Sequence, residues 1–373
     1  MNDHKIFVTQ PYLPELNEFI PYLEEIWNNK MLTNGGPIHQ KLESALCDYL
    51  GVPYISLFNN GTNALLTALQ CYELMGEVIT TPYSFVATSH AIIWNNLTPV
   101  FVDIDADTLN IDPSKIEAAI TDKTTAILAV HCYGNPCATQ EIQKLADQYN
   151  LKVIYDAAHA FAVQDNQGSI LNYGDLSILS FHATKVFNTF EGGAIISHDL
   201  ETKQKIDRLK NFGITSEIEV SNIGSNGKMS EINAAFGLVQ LKHVDQTIMQ
   251  RKNIAEKYEQ ALQNVSGIQC ALSKAVVQHN YSYFPILIDS RKYGKTRDEL
   301  YELLKEHNIF ARRYFYPLIT DFEAYQQCEK RFDLDVASQI SDNILCLPIY
   351  PDLSSDDFNK IIAIMNSNNK GIV

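Results

Sequence analysis

The sequence predicts an α/β fold in which a large domain is built on a doubly wound, mostly parallel sheet and a smaller C-terminal domain is of the α+β type. Two observations lead to this prediction. Apolar runs of strand length alternate with helical patterns from YISLF at residue 54 to GGAIISHD at residue 192, and a long helical run begins at residue 245. The 373 residues, 46% of them hydrophobic, suffice for the cores of two or three domains.

Residues 1–30 are predicted to form an N-terminal arm and a helix, and residues 31–245 the large domain. ELNEFIPYLEEIWNN and PIHQKLESALCDYLG show the apolar spacing of amphipathic helices, and Gly51 is a typical stop signal for the second. The strands expected next are YISLF, EVITTP, TPVFVDI, TAILAVHCYG, LKVIYDAAHA, DLSILSFHATK and GGAIISHD. The helices expected between them are ALLTALQCYEL, PSKIEAAI and TQEIQKLADQYN.

Residues 246–373 are predicted to form the small domain. It should contain most of the long helix DQTIMQRKNIAEKYEQALQNV, the strand NYSYFPILI and the helices KTRDELYELLKEHN and SSDDFNKIIAIM. This mixture of few strands and several amphipathic helices is typical of an α+β domain.

The charge and composition argue against several classes of protein. A net charge of -15 is opposite to the broadly basic face that nucleic-acid binding requires. The chain shows neither a basic segment followed by an apolar leader nor a run of about 20 apolar residues, so we expect a cytoplasmic protein without a membrane span. Its seven cysteines are scattered without a CxxC pair, which favours reduced thiols over a metal site or disulfides.

Polar residues that follow the predicted strands are the candidates for a functional site, because open α/β sheets bind ligands at the carboxyl ends of their strands. Asn60, Gly61 and Thr62 follow YISLF and open a helix, where free backbone amides and the helix dipole favour a phosphate. An ordinary helix cap by Asn60 or Thr62 is the alternative. Asp156 ends the run LKVIYD. A carboxylate there can pair with a protonated ring nitrogen, or it can cap a helix or lie in a surface loop.

Lys185 and Phe85 are the other two candidates. Lys185 ends SFHATK and is followed by EGGA and a new strand. Its apolar and aromatic neighbours favour desolvation, which lowers the pKa of a lysine and leaves the neutral amine that attacks an aldehyde. A solvated surface lysine is the alternative. Phe85, in PYSFVAT, can lie on the face of a heteroaromatic ring or pack in the core.

Together these blocks resemble the fold-type I aminotransferases that use pyridoxal 5'-phosphate (PLP), and among them the DegT/DnrJ/EryC1/StrS family of nucleotide-sugar aminotransferases. The similar motifs are NGT before a helix, PYSFVAT, PVFVDID, DAAHA, SFHATK, EGGA and NGKMSE, and, in the C-terminal domain, RRYFYPL and CLPIYPDLS. The resemblance implies a fold-type I PLP transferase with the cofactor held as a Schiff base on Lys185. It also implies a homodimer with shared active sites.

The resemblance further implies a role for each matching residue. The expected catalytic residues are Lys185, which would also shuttle the proton, and Asp156, which would pair with the pyridine nitrogen. The other expected cofactor contacts are Gly61, Thr62 and Ser180 at the phosphate, Phe85 and His159 at the ring, and Asn226 at the phosphate of the neighbouring subunit's cofactor. The expected nucleotide-sugar contacts are Arg312, Arg313, Tyr314 and Tyr316.

Lys228, His131 and His182 are three further residues that bear on the predicted site. Lys228 departs from the family's pattern, because many relatives carry arginine there and a lysine cannot form a planar bidentate contact. His131 and His182 each have a simpler interpretation as core histidines. His182 is nevertheless expected near the site, because it lies between Ser180 and Lys185.

Within the family, LTNGGPIHQKLE, SLFNNGT and HCYGNPC are most similar to the viosamine-forming subgroup. That similarity implies transfer of an amino group from L-glutamate to dTDP-4-keto-6-deoxy-D-glucose, giving dTDP-4-amino-4,6-dideoxy-D-glucose for lipopolysaccharide O-antigen biosynthesis. Amination at C3, or of another nucleotide keto-sugar, stays open. A PLP-dependent dehydratase is disfavoured because such relatives carry histidine where Lys185 stands. A PLP-binding regulator is disfavoured because no DNA-binding segment is visible.

Overall fold

The computed structural model describes residues 4–272, 276–328 and 331–367. In chain order, its first half contains β1 (Ile6–Phe7), α1 (Leu16–Asn29), α2 (Pro37–Leu50), β2 (Tyr54–Phe58), α3 (Gly61–Cys71), β3 (Glu77–Thr80), α4 (Val86–Trp94), β4 (Thr98–Phe101), α5 (Pro113–Ile116), β5 (Thr124–Val130), α6 (Thr139–Tyr149), β6 (Lys152–Asp156), β7 (Gln164–Asp165), β8 (Gly168–Ser169), β9 (Leu176–Ser180) and β10 (Gly193–Ser197). The second half contains α7 (Leu200–Leu209), β11 (Ile214–Ser216), β12 (Glu219–Val220), α8 (Glu231–Leu262), β13 (Ile268–Cys270), β14 (Phe284–Ile288), α9 (Ser290–Tyr293), α10 (Arg297–Glu306), β15 (Ile309–Phe310), α11 (Asp335–Asn343), β16 (Ile344–Leu347) and α12 (Ser355–Asn366).

The large domain is built on a seven-stranded sheet with the strand order β2-β10-β9-β6-β5-β3-β4. Neighbours from β9 to β4 pair in parallel, and β10 is antiparallel to β2 and β9. The prediction of a mostly parallel sheet in an α/β fold is therefore confirmed. The parallel strands place the residues at their carboxyl ends, among them Phe58, Asp156 and Ser180, along one edge of the sheet.

The strands are apolar runs because both faces of the sheet are covered. Side chains of successive residues point to opposite faces, so Ile178 and Leu179 of β9 belong to different core clusters. The Leu179 side is packed by α2 and the start of α8, and the Ile178 side by α3 and α7. Several strands are shorter than the runs that predicted them: β3 ends at Thr80, β4 at Phe101 and β9 at Ser180.

The small domain contains the antiparallel sheet β13-β14-β16, packed against the end of α8 and against α10 and α12. The N-terminal arm also packs here, because Ile6 pairs with Ile309 in the parallel ladder between β1 and β15 and is fully buried. Ile6 and Phe7, near the start of the described chain, therefore pack against the small domain, which is formed by the C-terminal part of the sequence.

Helix α8 connects the two cores. The helical pattern predicts a helix from residue 245, but α8 begins at Glu231, because the apolar residues Ala234 and Ala235 pack into the large core. The other end of α8 places Tyr258 and Leu262 in the small core. The predicted domain boundary at residue 245 thus falls inside a continuous helix and stays a prediction. Among the described helices, α8 included, none is long and apolar enough to cross a bilayer.

Candidate active site

A cavity of about 290 Å³ lies at the carboxyl edge of the large sheet, where the small domain covers it. Its polar and aromatic lining consists of Asn60, Gly61, Thr62, Ser84, Phe85, Asp156, His159, Ser180, His182, Thr184, Lys185, Glu191, Tyr283, Tyr314 and Phe315. The four sequence blocks that were singled out as candidates therefore meet at one place. They are far apart in the chain and close in space because each follows a strand of the same sheet.

Lys185 reaches the cavity from the loop that connects β9 to β10. Its Nζ lies 3.4 Å from the hydroxyl of Tyr283. Burial of the amine lowers the pKa of Lys185 to about 8, while the negative charge of Asp156 acts in the opposite direction. A substantial fraction of the amine is therefore neutral near pH 8, as required of a nucleophile.

Asp156 ends β6 and is only 5% exposed, which argues against a surface-loop acid. One carboxylate oxygen accepts a hydrogen bond of 2.7 Å from the Thr88 hydroxyl, and the other accepts one of 3.2 Å from the backbone amide of Ala158. Burial raises the pKa of Asp156, and the two hydrogen bonds and the charge of Lys185 work against that rise. Two neutral donors leave acceptor capacity on a carboxylate that has about four lone-pair directions.

The opposite end of the cavity is suited to a phosphate. Helix α3 begins at Gly61, and the side chain of Asn60 caps it by accepting a 2.8 Å hydrogen bond from the amide of Asn63. The cap does not preclude an anion site, because the first-turn amides have no partner inside a helix and Asn60 takes only that of Asn63. A Cβ on Gly61 would lie 3.0 Å from the Cβ of Ser180, so glycine lets the helix terminus approach β9 closely.

The walls between these two ends are aromatic. Phe85 precedes α4 and is 60% exposed in this chain, so it is a cavity-wall residue rather than a core residue. His159 is buried, and its Nδ1 accepts a 3.1 Å hydrogen bond from the backbone amide of Tyr133. Burial lowers the pKa of His159 well below its usual value, and the charge of Lys185 adds to the effect. The His159 ring in the cavity wall is therefore neutral near pH 7.

The four predicted nucleotide-sugar contacts separate into two groups. Tyr314 lines the cavity, and it also lines a second cavity of about 270 Å³ together with Arg312, Tyr283 and Thr184. Arg313 instead forms an ion pair of 2.8 Å with Asp298. Tyr316 packs against the guanidinium groups of Arg297 and Arg313, at 4.2 and 5.1 Å from its ring centroid. The contacts of Arg313 and Tyr316 are thus with the small domain itself.

Asn226 lies outside the cavity of its own chain. Its backbone carbonyl accepts a 3.2 Å hydrogen bond from Asn59, and its side-chain oxygen accepts one of 2.8 Å from Lys228. These contacts hold Asn226 at the surface beside the β11–β12 hairpin. Its expected contact with a neighbouring subunit's cofactor stays a prediction.

The sequence did not single out Thr88, Tyr283 or Phe315 as site residues. Thr88 had a local signal, because the hydroxyl residues Ser84 and Thr88 are four positions apart in the PYSFVAT motif, and in the structure their hydroxyls hydrogen-bond at 2.8 Å. Phe315 stands in the RRYFYPL motif between two expected contacts, Tyr314 and Tyr316, whereas Tyr283 had no such signal and reaches the cavity through the packing of the small domain. His131 is a core residue, stacked on Tyr155 at 4.5 Å, whereas His182 lines the cavity.

The family model of the DegT/DnrJ/EryC1/StrS aminotransferases matches residues 15–366. A dTDP-4-amino-4,6-dideoxy-D-glucose transaminase from Shigella dysenteriae is 60% identical over 358 residues, which cover 96% of this chain and 97% of the relative. One of the same name from Escherichia coli is 57% identical and covers 98% and 99%. A solved structure of DesI in the presence of its TDP-sugar product superposes with a TM-score of 0.94 at 32% identity, over 98% of this chain and 94% of DesI.

Proposed function

The chain belongs to the DegT/DnrJ/EryC1/StrS aminotransferase family, and from that membership we propose that it transfers an amino group from L-glutamate to C4 of dTDP-4-keto-6-deoxy-D-glucose. The product would be dTDP-4-amino-4,6-dideoxy-D-glucose, the compound in the names of the Shigella and E. coli relatives. The chain is an enzyme, a sugar transaminase. Its use in O-antigen biosynthesis and its cytoplasmic location stay predictions.

The proposed cofactor is PLP, and the donor set of the cavity supports it. A phosphate fits the start of α3, where Gly61, Thr62 and Ser180 meet, and a protonated ring nitrogen fits the buried Asp156 carboxylate with its remaining acceptor capacity. Lys185 is the one lysine among the described residues that line this cavity. When bound, PLP supplies an aldehyde for an amine and a ring that accepts electrons from the substrate carbon.

Lys185 moves the proton in the proposed reaction. Its Nζ, with a pKa lowered to about 8, is neutral often enough to take a proton from the substrate carbon and is basic enough to return it. Asp156 has a fixed position, because it is buried and held by Thr88 and Ala158. There it would stabilise the proton on the ring nitrogen by direct charge pairing.

The nucleotide part of the substrate is assigned to the second cavity. Tyr314 lies in both cavities, and Arg312 lines only the second. No acidic side chain within the described ranges forms an ion pair with Arg312, so its guanidinium can pair with a diphosphate. We retain Arg313 and Tyr316 as weaker candidates, because their contacts within the small domain leave them less free to bind a ligand.

A homodimer is proposed because the chain exposes apolar side chains near Asn226. Ile218 is 97% exposed, Ile223 is 89% exposed and Val220 is 64% exposed, all on or beside the β11–β12 hairpin. Burial of such a patch against a second copy would remove its apolar surface from water. The same contact would bring Asn226 to the partner's cavity, as the family resemblance implies.

The observation that best supports the proposed function is the meeting of Lys185, Asp156 and the α3 terminus in one cavity. Purified protein should show the visible absorbance of lysine-bound PLP, and Lys185→Ala should lose this band together with the activity. Lys144→Ala, on the exposed side of α6, is the matched control and should keep both. An unchanged band in the Lys185 variant would refute the assignment.

The regiochemistry requires a separate experiment. The protein is incubated with L-glutamate and dTDP-4-keto-6-deoxy-D-glucose, and the product is analysed by NMR. Nitrogen at C4 with the gluco configuration is expected. Nitrogen at C3 would overturn the substrate proposal, and so would turnover of another nucleotide keto-sugar in the absence of turnover of this one. Either result would leave the family assignment intact.

A further inference from the structure

Tyr283 makes the nearest polar contact with the proposed catalytic lysine. Its hydroxyl lies 3.4 Å from Nζ of Lys185 and is the one side-chain hydrogen-bond partner of that amine within residues 4–272, 276–328 and 331–367. The centroid of its ring lies 5.7 Å from the same nitrogen. Tyr283 lines both cavities, so the amine lies beside their common wall.

The ring of Tyr283 has little freedom to move. It is 7% exposed and packs edge-on against His159 at 4.8 Å and Tyr314 at 5.6 Å. Side chains of this size that are enclosed by other rings keep one rotamer, because any other rotamer would clash with them. The hydroxyl therefore has a defined position relative to Lys185.

The backbone before Tyr283 is also anchored to the large domain. Asn280 donates a 2.8 Å hydrogen bond to the carbonyl of His159, and the hydroxyl of Ser282 donates one of 3.1 Å to the same carbonyl. On the other side, Arg251 donates to the carbonyl of Tyr281 at 3.4 Å. The segment before Tyr283 is thereby held against His159, in the loop that follows β6 of the large domain.

The phenol interacts with both protonation states of the amine, but unequally. Burial raises the pKa of Tyr283, and the neighbouring Tyr314 adds to the rise, so the phenol stays neutral over the working range of pH. A neutral phenol oxygen accepts from the ammonium form of lysine and donates to the amine form. The charge-assisted bond to the ammonium is the stronger of the two.

We propose that Tyr283 is a positioning residue for Lys185, which holds Nζ at the common wall of the two cavities and stabilises its protonated form against burial. The inference rests on the proposed role of Lys185 in the reaction. It adds a second contribution to the acid–base balance of that lysine, since Asp156 acts through charge and Tyr283 acts through contact.

The test uses the full-length apoprotein and the variant Tyr283→Phe, which keeps the ring and removes the hydroxyl. Trace acetylation with acetic anhydride from about pH 6 to 11, followed by mass spectrometry of the Lys185 peptide, gives the pKa of this one amine. We expect the pKa in Tyr283→Phe to fall by about half a unit to one unit, as for loss of one hydrogen bond. Tyr281→Phe, two residues away and outside both cavities, should leave it unchanged.

An unchanged or raised Lys185 pKa in folded Tyr283→Phe would overturn the proposal.

A second measurement needs no change at Tyr283. In apoprotein labelled with ¹³C at tyrosine Cζ, one resonance should shift with a midpoint equal to the Lys185 pKa, and the shift should vanish in Lys185→Ala. The absence of any such resonance would also overturn it. Activity that persists in Lys185→Ala would refute the proposed function instead, so the two failures are distinguishable.

Discussion

At the scale of single residues, burial is the main influence on the acid–base chemistry of this site. It lowers the pKa of Lys185 to about 8 and raises that of Asp156, and in each case it disfavours the charged form. The two groups also attract each other, which restores part of the charge on both. The lysine is consequently available as an amine at a pH where an exposed lysine would be almost fully protonated.

This coupling predicts the effect of Asp156→Asn. Loss of the negative charge should move the pKa of Lys185 further below about 8, because the charge of Asp156 raises it in the wild type. Transaminase activity should fall by at least about 100-fold, since the ring nitrogen would lose its charged partner. The pKa is measured on the apoprotein by trace acetylation and the activity by steady-state kinetics.

Asp122→Asn, an exposed acid outside the cavity, is the control for Asp156→Asn and should change neither quantity. A rise in the Lys185 pKa, or an activity within about twofold of the wild type, would show that Asp156 does not have this role.

At the scale of secondary-structure elements, the N-termini of helices provide favourable positions for negatively charged groups. Helix α3 presents its first amides to the cavity, and helix α2 presents its own to a buried acid. The carboxylate of Glu231 is 1% exposed and accepts hydrogen bonds of 2.9 Å from the amides of Ile38 and of His39. A charge at a helix N-terminus is favourable because it satisfies free N–H groups and the helix dipole together.

Glu231→Gln should therefore destabilise the protein by about 2 kcal/mol, because the amide has one acceptor oxygen where the carboxylate has two. The measurement is the free energy of unfolding by chemical denaturation at neutral pH. Glu256→Gln, exposed on the same helix α8, should cost less than about 0.5 kcal/mol. Equal losses in the two variants would contradict this account of the α2 terminus.

Gly61→Ala tests the close approach of α3 to β9. The added Cβ would lie 3.0 Å from the Cβ and 3.3 Å from the Oγ of Ser180, so the helix terminus or the strand must shift by a few tenths of an ångström. We expect PLP affinity to fall about tenfold, equivalent to about 1.4 kcal/mol, with little change in the thermal midpoint of the apoprotein. Fluorescence titration of the apoprotein with PLP measures the PLP affinity. An affinity equal to that of the wild type would exclude a tight phosphate site at the N-terminus of α3.

At the scale of the whole molecule, the active site depends on the docking of the small domain on the large one. Tyr283 and Tyr314 come from the small-domain side, and Asp103, at 1% exposure, fixes that side from the end of β4. Its carboxylate accepts hydrogen bonds of 3.1 and 2.8 Å from the first-turn amides of α11, those of Val336 and Ala337. Lys115 donates a further bond of 2.9 Å.

Asp103→Asn should weaken this docking in a pH-dependent manner. Burial by itself would raise the pKa of Asp103, but the bonds from Lys115 and the backbone amides outweigh it and hold the pKa below the usual value. A carboxyl group whose pKa is lower in the folded state stabilises the fold at pH values above its unfolded-state pKa. This stabilisation is lost as the pH falls through the folded-state pKa.

The wild type should thus exceed Asp103→Asn by about 2 kcal/mol at neutral pH, and the gap should narrow below about pH 4. Thermal denaturation at both pH values measures the gap. Asp335→Asn, an exposed acid at the start of α11, is the matched control and should show a small, nearly pH-independent effect. If the stability difference between the wild type and Asp103→Asn were larger in acid than at neutral pH, the pKa of Asp103 would not be lowered in the folded state.

The sequence by itself determined the α/β class, the mostly parallel sheet and the polar residues at or just after the ends of its strands. Periodicity and strand-end position are local properties, so Gly61, Asp156 and Lys185 could be recognised from their neighbours in the chain. The resemblance to a known family then supplied their expected roles. The match over residues 15–366 shows the family, and the roles of the individual residues stay predictions.

Only the tertiary structure decided which small-domain residues reach the cavity. Tyr283 lies near Lys185, and Arg313 is engaged by Asp298, through contacts between residues 98 and 15 positions apart in the chain. The start of α8 was missed for the same reason, because its apolar residues pack against a core formed by distant helices. Such contacts depend on how two domains dock, and docking is set by packing over the whole molecule rather than by any local pattern.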